Sequence, residues 1–221
     1  MNRRNLVLGT IAAGAIVFAG GAYVVNQRNK EAELLLAEAQ AEIASKNELL
    51  VRPHSPILGN KDAPVTIVEF FDPSCEACRA FHPIVKSILD QHGDKVRVVL
   101  RYAALHPGSD EAVRILETAR IQGVFEPVMN AMLEAQPQWA AHDGPNLDVA
   151  WQVAGSAGLD IEKAKIDRMQ PGIVAVLSKD SDDVKTVGIQ QTPTFFVNGK
   201  PLTNFGQEEL KALVQSEVDA L

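Results

Sequence analysis

VTIVEFFDPSCEACRAFHP occupies residues 65–83 and holds both cysteines of the chain, Cys75 and Cys78. Its first seven residues, Val65 to Phe71, are a β-branched and aromatic run bounded by Pro64 and by Asp72-Pro73. Such a run reads as a strand buried on both faces. A helix is expected from about Cys75 to His92, ended by Gly93, and VRVVLRYA (Val96 to Ala103) reads as a second strand. The result is a β-α-β unit with the two cysteines at the junction of strand and helix.

Downstream, the pattern from Ser109 to about Val187 is helical, with breaks at Gly123, Pro127, QPQWAAHDGPN and Pro171-Gly172. No strand of similar quality interrupts it, and Trp139 and Trp151 read as packing residues of this block. TPTFFVNGKPL (Thr192 to Leu202) then supplies a strand and an Asn198-Gly199 turn, the strongest short-range hairpin signal. QEELKALVQSEVDAL closes the chain as an amphipathic helix. The expected layout is β-α-β, a helical insertion, then β-β-α.

Upstream, VRPHSPILGNKDAP (Val51 to Pro64) contains Pro53, Pro56, Gly59 and Pro64 and reads as a linker leading into the domain. NKEAELLLAEAQAEIASKNELL (Asn29 to Leu50) has no Gly or Pro and reads as a helix. Leu36, Ile43 and Leu50 recur at seven-residue spacing, but two heptads fall short of the three or four a coiled coil wants. A solvated spacer and a self-association helix both stay open. LVLGTIAAGAIVFAGGAYVV (Leu6 to Val25) is 20 residues without a charge, long enough as a helix to span about 30 Å of hydrocarbon. Arg3 and Arg4 precede it, which orients the remainder of the chain outside, while Arg28 and Lys30 weaken the bias. Cleavage near Gly20, Gly21 and Ala22, and a degenerate twin-arginine signal in RRNLV, are the competing readings. The run exceeds a signal core of about 7–15 residues and lacks an A-x-A end, which favours an uncleaved anchor.

The chain has 221 residues, 46% of them hydrophobic, enough to bury a core without staples. Its net charge is −7, and residues 1–30 carry four basic groups and no acid, so the remainder is more acidic still. An acidic domain without Lys/Arg runs is a poor partner for nucleic acid.

One C-x-x-C allows three readings. Structural zinc wants four ligands, usually two pairs, and His82 adds at most a third. A structural disulfide across two residues removes little unfolded-state entropy. A redox couple uses the position: a cysteine at the first turn of a helix faces unpaired N–H groups and the positive end of the dipole, which favour thiolate. Cys75 occupies that place, as nucleophile, and Cys78 one turn further in is the resolving thiol.

These features together resemble the DsbA-like branch of the thioredoxin fold. Glu69 in VEFF lies six residues before Cys75, Pro83 eight residues after it, and TPTFFVNG resembles the loop whose proline is cis, which maps onto Pro193 preceded by Thr192. The resemblance covers residues 57–218 and implies an α/β, thioredoxin-like domain at 64–221 with a DsbA-type helical insertion at about 105–188. Ahead of it stand the anchor or uncleaved signal (1–28), a juxtamembrane helix (29–50) and a linker (51–63). It also implies thiol–disulfide exchange with exported proteins, without cofactor or metal. Glu69 would relay a proton to or from Cys78. Thr192 and Pro193 would shape the site, with the Thr192 backbone pairing an extended substrate. Where DsbA has Pro-His between its cysteines this chain has Glu76-Ala77, and a carboxylate beside Cys75 lowers the expected oxidising power. His82, on the face of Cys78, is a candidate for tuning it. The expected partner is a DsbB-like oxidant or, for a reductase or isomerase, a DsbD-like reductant, with possible homo-oligomers through 29–50. A Cu(I)-binding accessory protein using the two thiolates is the reading from another class.

Overall fold

The computed structural model describes residues 27, 28, 30, 34, 35 and 48–221. The chain divides into two units, Met1–Ser45 and Lys46–Leu221. In the first, the described residues are helical and Leu34 and Leu35 are exposed. The expected span Leu6–Val25 and the heptad positions Leu36 and Ile43 lie outside the described residues. Among the described residues no helix is long and apolar enough to cross a membrane.

The second unit is built on a five-stranded sheet of β1 (Ile57–Gly59), β2 (Val65–Phe71), β3 (Val96–Tyr102), β4 (Thr194–Val197) and β5 (Lys200–Pro201), in the order β1-β3-β2-β4-β5. β2 and β3 run parallel, joined by α1 (Glu76–His92), and every other pairing is antiparallel. Alternation along the central strands sorts their side chains onto two faces. Val65, Ile67 and Phe71 of β2 join Val96, Val98, Leu100 and Tyr102 of β3 in the larger core, with Val85 and Ile88 of α1. Val68 and Phe70 join Val99 and Ala103 in a smaller core on the other side. Asn198 and Gly199 both take positive φ, 47° and 80°, as a two-residue hairpin turn requires. Phe81 of α1 stacks on Phe195 of β4 and on Phe205, with ring centroids 5.4 and 4.8 Å apart, which fixes α1 against the strand that follows the Thr192 loop.

The helical block comprises α2 (Ser109–Ile121), α3 (Phe125–Glu134), α4 (Gln136–Trp139), α5 (Leu147–Ser156), α6 (Ile161–Asp167) and α7 (Pro171–Val187), and α8 (Gln207–Asp219) closes the domain. Trp139 is fully buried and its indole N–H donates to the Met132 carbonyl at 2.8 Å; Trp151 is also buried. Pro127 falls in the first turn of α3, where a missing N–H costs nothing, rather than breaking a helix.

Residues 51–63, expected as a linker, contain β1, paired with Arg97–Val99. Three residues are too few to show alternation, so only the pairing reveals this strand. The same segment is held by a buried ionic cluster. Arg101, fully buried on β3, donates to Asp180 at 2.8 Å and Asp183 at 2.7 Å on α7, and to the carbonyls of Leu49 and Leu50. Arg52 forks onto Asp183 with two bonds of 2.8 Å, and His54 sits 2.7 Å from Asp180. Leu50, read as a heptad position, is buried in the smaller core and packs within the domain instead.

Candidate active site

β2 ends at Phe71, and the turn Asp72–Cys75 delivers the chain to the first turn of α1. Cys75 is the residue that precedes the helix, with extended φ and ψ of −81° and 122°. Its N–H is bonded to the Asp72 carbonyl at 3.1 Å and its carbonyl accepts from Arg79 at 3.1 Å. Cys75 and Cys78 are both free thiols and both buried, Cys78 completely. Across from them the Thr192–Pro193 peptide is cis. The Cys75 thiol donates to the Thr192 carbonyl at 3.1 Å, so the helix and the loop meet at the sulfur.

The two thiols are electrostatically unlike. A hydrogen bond from Cys78 does most to favour the Cys75 thiolate, ahead of the Thr192 hydroxyl and the N–H groups of Cys78 and Ala77, and together they outweigh burial to hold it at about 5. While Cys75 is a thiol, the buried Thr192 hydroxyl has no partner; on ionisation it gains an acceptor. Burial, the hydrogen bond to Cys75 and the charge of Glu69 push Cys78 far up, although the Asp72 N–H reaches its sulfur at 3.4 Å. Glu69 is buried in the middle of β2, on the face that Ile67 and Phe71 share. Burial first, and the Cys75 charge second, raise it to about 8. A carboxyl in that state holds its proton at neutral pH.

Glu76 and His82 differ from expectation. Glu76 is exposed and turned toward His142, 2.9 Å away, and its own carboxyl is lowered by its backbone N–H and by that histidine. It is hydrogen-bonded there, while the groups that dominate the Cys75 thiolate are Cys78, Thr192 and the helix N–H groups. His82 pairs with Asn130 of α3 at 2.8 Å and, lowered by desolvation, faces the insertion rather than the thiols. It is not a third ligand beside them, and among the described residues no three His, Cys, Asp or Glu side chains are grouped to hold a metal.

Several groups beside the cysteines carry no signal in the sequence. Asp72 is fully buried, and its carboxylate accepts from the N–H of Ser74, Leu105 and His106, from the Ser109 hydroxyl at 2.5 Å and from the His106 ring at 2.8 Å. Gln136, also buried, donates through its amide to the carbonyls of Pro73 at 2.8 Å and Cys75 at 3.0 Å, and accepts from Arg79 at 3.1 Å. The insertion therefore grips the active-site turn from two sides. Apart from Ser74 and Arg79, these partners lie at least 30 residues from the turn or appear as ordinary polar residues in a helical block. Only the Asp72-Pro73 pair stood out, and it read as a strand stop.

A family model described as Thioredoxin matches residues 52–216. The chain belongs to the thioredoxin family. Among solved structures, a thioredoxin-like oxidoreductase from Silicibacter pomeroyi DSS-3 is 30% identical, with a TM-score of 0.65, and the match covers 78% of this chain and 94% of that one. Oxidised BdbD from Bacillus subtilis is 28% identical with a TM-score of 0.66, covering 75% and 93%. Disulfide bond formation protein D of Bacillus subtilis (strain 168) is 28% identical over 179 residues, 74% of this chain and 77% of that protein. These neighbours place the thioredoxin-family domain among DsbA-like oxidoreductases. The chain spans only about a quarter of the length of other curated relatives, such as the Na(+)/H(+) antiporter NhaA 1 of Mycolicibacterium gilvum, 31% identical over 160 residues.

Proposed function

We infer that the chain is a thiol–disulfide oxidoreductase that donates disulfides to exported proteins. The observation that carries this is the placement of the pair: Cys75 directly before the first turn of α1, its thiol on the Thr192 carbonyl beside the cis peptide, and Cys78 completely buried one turn further in. This placement favours ionisation of the first thiol and disfavours it in the second. A stabilised thiolate stabilises the reduced enzyme, which makes its disulfide a ready oxidant.

In the oxidised enzyme a substrate thiolate attacks Cys75 Sγ. A substrate–Cys75 bond forms, the Cys75–Cys78 bond breaks, and Cys78 leaves with the electron pair. Being a poor leaving group, it needs a proton, and buried, protonated Glu69 is the group that relays it, a role supported by its electrostatic effect on Cys78. A second substrate thiolate then attacks the substrate sulfur of the mixed disulfide and expels Cys75 as the stabilised thiolate. The substrate loses two electrons and the enzyme disulfide gains them, ending as the dithiol. The Thr192 backbone beside Cys75 offers an edge along which an extended substrate can pair.

The catalytic domain works outside the cytoplasmic membrane, held by Leu6–Val25, and is reoxidised by a DsbB-like membrane oxidant. Support comes from the uncharged 20-residue run behind two arginines and from chemistry that suits an oxidising compartment. Mixing the oxidised protein with a reduced dithiol peptide tests the activity. Stoichiometric peptide oxidation, faster than with glutathione disulfide and abolished by Cys75→Ser, is expected; no advantage over glutathione disulfide contradicts it. Preferential reduction or reshuffling of substrate disulfides would instead favour a reductase or isomerase fed by a DsbD-like donor. Protease treatment of spheroplasts tests location, with digestion of the domain expected and full protection contradicting it.

A further inference from the structure

The residues between the two cysteines supply no cation, yet a pair of histidines stands at the same end of α1. His106, on the segment between β3 and α2, is fixed by two bonds to one oxygen of Asp72, from its ring Nδ1 at 2.8 Å and its backbone N–H at 3.1 Å. Since the carboxylate can only accept, Nδ1 carries the hydrogen. Asp72 is itself tied to both cysteines: its carbonyl accepts from the Cys75 N–H and its own N–H reaches Cys78 Sγ. The other face of the cluster is closed by His142, whose ring stands edge-on to His106 with centroids 5.5 Å apart and whose Nε2 meets Glu76. His106 keeps about a quarter of its side-chain surface exposed, so it exchanges protons with solvent.

We propose that His106, braced by Asp72, is the cation that stabilises the Cys75 thiolate, the part the Glu76-Ala77 pair leaves unfilled. The groups it touches are Asp72, just after β2, and the His142 ring from the insertion, and the charges of Cys75 and Glu76 at the start of α1 also act on it. Desolvation lowers the proton affinity of His106, but Asp72 through its hydrogen bond and charge, with Cys75 and Glu76 behind it, outweighs burial and raises it. The relation is reciprocal, because a thiolate that gains from the imidazolium must equally hold its proton. His106 acts when Cys75 departs from the mixed disulfide with its electron pair, the positive charge of the imidazolium offsetting through space the charge that appears on Sγ. It is a positioning and tuning residue, distinct from Cys75 and Cys78, which form and break the bonds.

Two measurements test this, and both rest on Cys75 being the reactive thiol. In the unaltered protein, NMR titration of the His106 ring should give a higher midpoint in the reduced form, with its thiolate, than in the disulfide form. Equal midpoints in the two forms overturn the proposal. In His106→Gln the thiolate absorbance titration should move up by about one pH unit, a tenfold weaker thiolate, and the glutathione equilibrium should shift by about the same factor toward reducing. His106→Lys should keep the thiolate low and abolish the wild-type dependence on pH in the histidine range. An unshifted thiolate in folded His106→Gln also overturns it. If coupling is present but the protein exchanges no disulfides, the functional reading fails and this one stands; exchange without coupling is the reverse.

Discussion

The Cys75 thiol lies 3.1 Å from the carbonyl oxygen of Thr192, although 117 residues separate them in sequence. The contact joins the two halves of the β-α-β and β-β-α layout at one atom. It also places the buried, unpartnered Thr192 hydroxyl where it can donate a hydrogen bond to the ionised sulfur. Thr192→Val removes that donor while keeping shape. Its Cys75 titration is expected to rise from about 5 by roughly half to one unit, the worth of one hydrogen bond of about 1 kcal/mol. Thiolate absorbance checks it, and an unchanged midpoint would remove Thr192 from the site's electrostatics.

Glu69 carries a folded-state value of about 8 against an ordinary 4.5. The folded protein therefore binds an extra proton between those values, and stability declines as pH rises from about 4.5 to about 8, then levels. Glu69→Gln abolishes the decline, so at pH 9 the variant should melt above the wild type while the step that protonates or deprotonates Cys78 slows by about 100-fold. Melting curves across pH and stopped-flow exchange read the two effects separately. A variant that melts below the wild type at pH 9 would mean that burial does not raise the Glu69 carboxyl.

Arg101, Asp180 and Asp183 form a buried ionic set that ties the segment around Leu49–His54 to α7. Removing one partner leaves an uncompensated charge, so Arg101→Met is expected to destabilise the domain by about 3–5 kcal/mol in urea unfolding. Burial alone would raise the Asp183 carboxyl, but hydrogen bonds from Arg52, Lys179 and Arg101 hold it well below its usual range. That contribution is complete above the ordinary aspartate value of 3.8 and is lost as pH falls below it. An Arg101→Met domain as stable as the wild type would show that the cluster contributes only specificity.

Gln136 links the insertion to the active-site turn through the carbonyls of Pro73 and Cys75. Gln136→Ala leaves the buried Pro73 carbonyl unpaired and the Cys75 carbonyl with only its bond from Arg79, at a cost of about 1–3 kcal/mol, and frees the turn. Exchange should slow with the thiolate titration nearly unmoved, separating the grip on geometry from the electrostatics. A shift in the titration as large as that expected for Thr192→Val would show that the two are not separable.

The sequence was informative where chemistry is local. Residues 65–71 are too apolar and β-branched for anything but a buried strand, and Cys75 falls where helix N–H groups converge because the strand stops at Asp72-Pro73. Thr192 and Pro193 were legible only through family likeness, since their partner lies across the fold. β1 was hidden because three residues show no period, and Leu50 because its spacing mimicked a heptad while its burial comes from Val68, Phe70 and Val99. Asp72, His106 and Gln136 were hidden for a different reason: each is an ordinary polar residue until tertiary folding brings its partners from 34 to 63 positions away. His82 shows the converse, a suggestive spacing whose side chain turns to Asn130.

The most direct test of the account is the equilibrium reduction potential of Cys75 and Cys78 against glutathione, on the chain with its N-terminal segment in detergent. A thiolate near 5 predicts an oxidising couple, between about −120 and about −180 mV, the range from DsbA to protein disulfide isomerase. A potential near the thioredoxin value of about −270 mV would contradict it, because a protein held that strongly in the disulfide form cannot donate its disulfide.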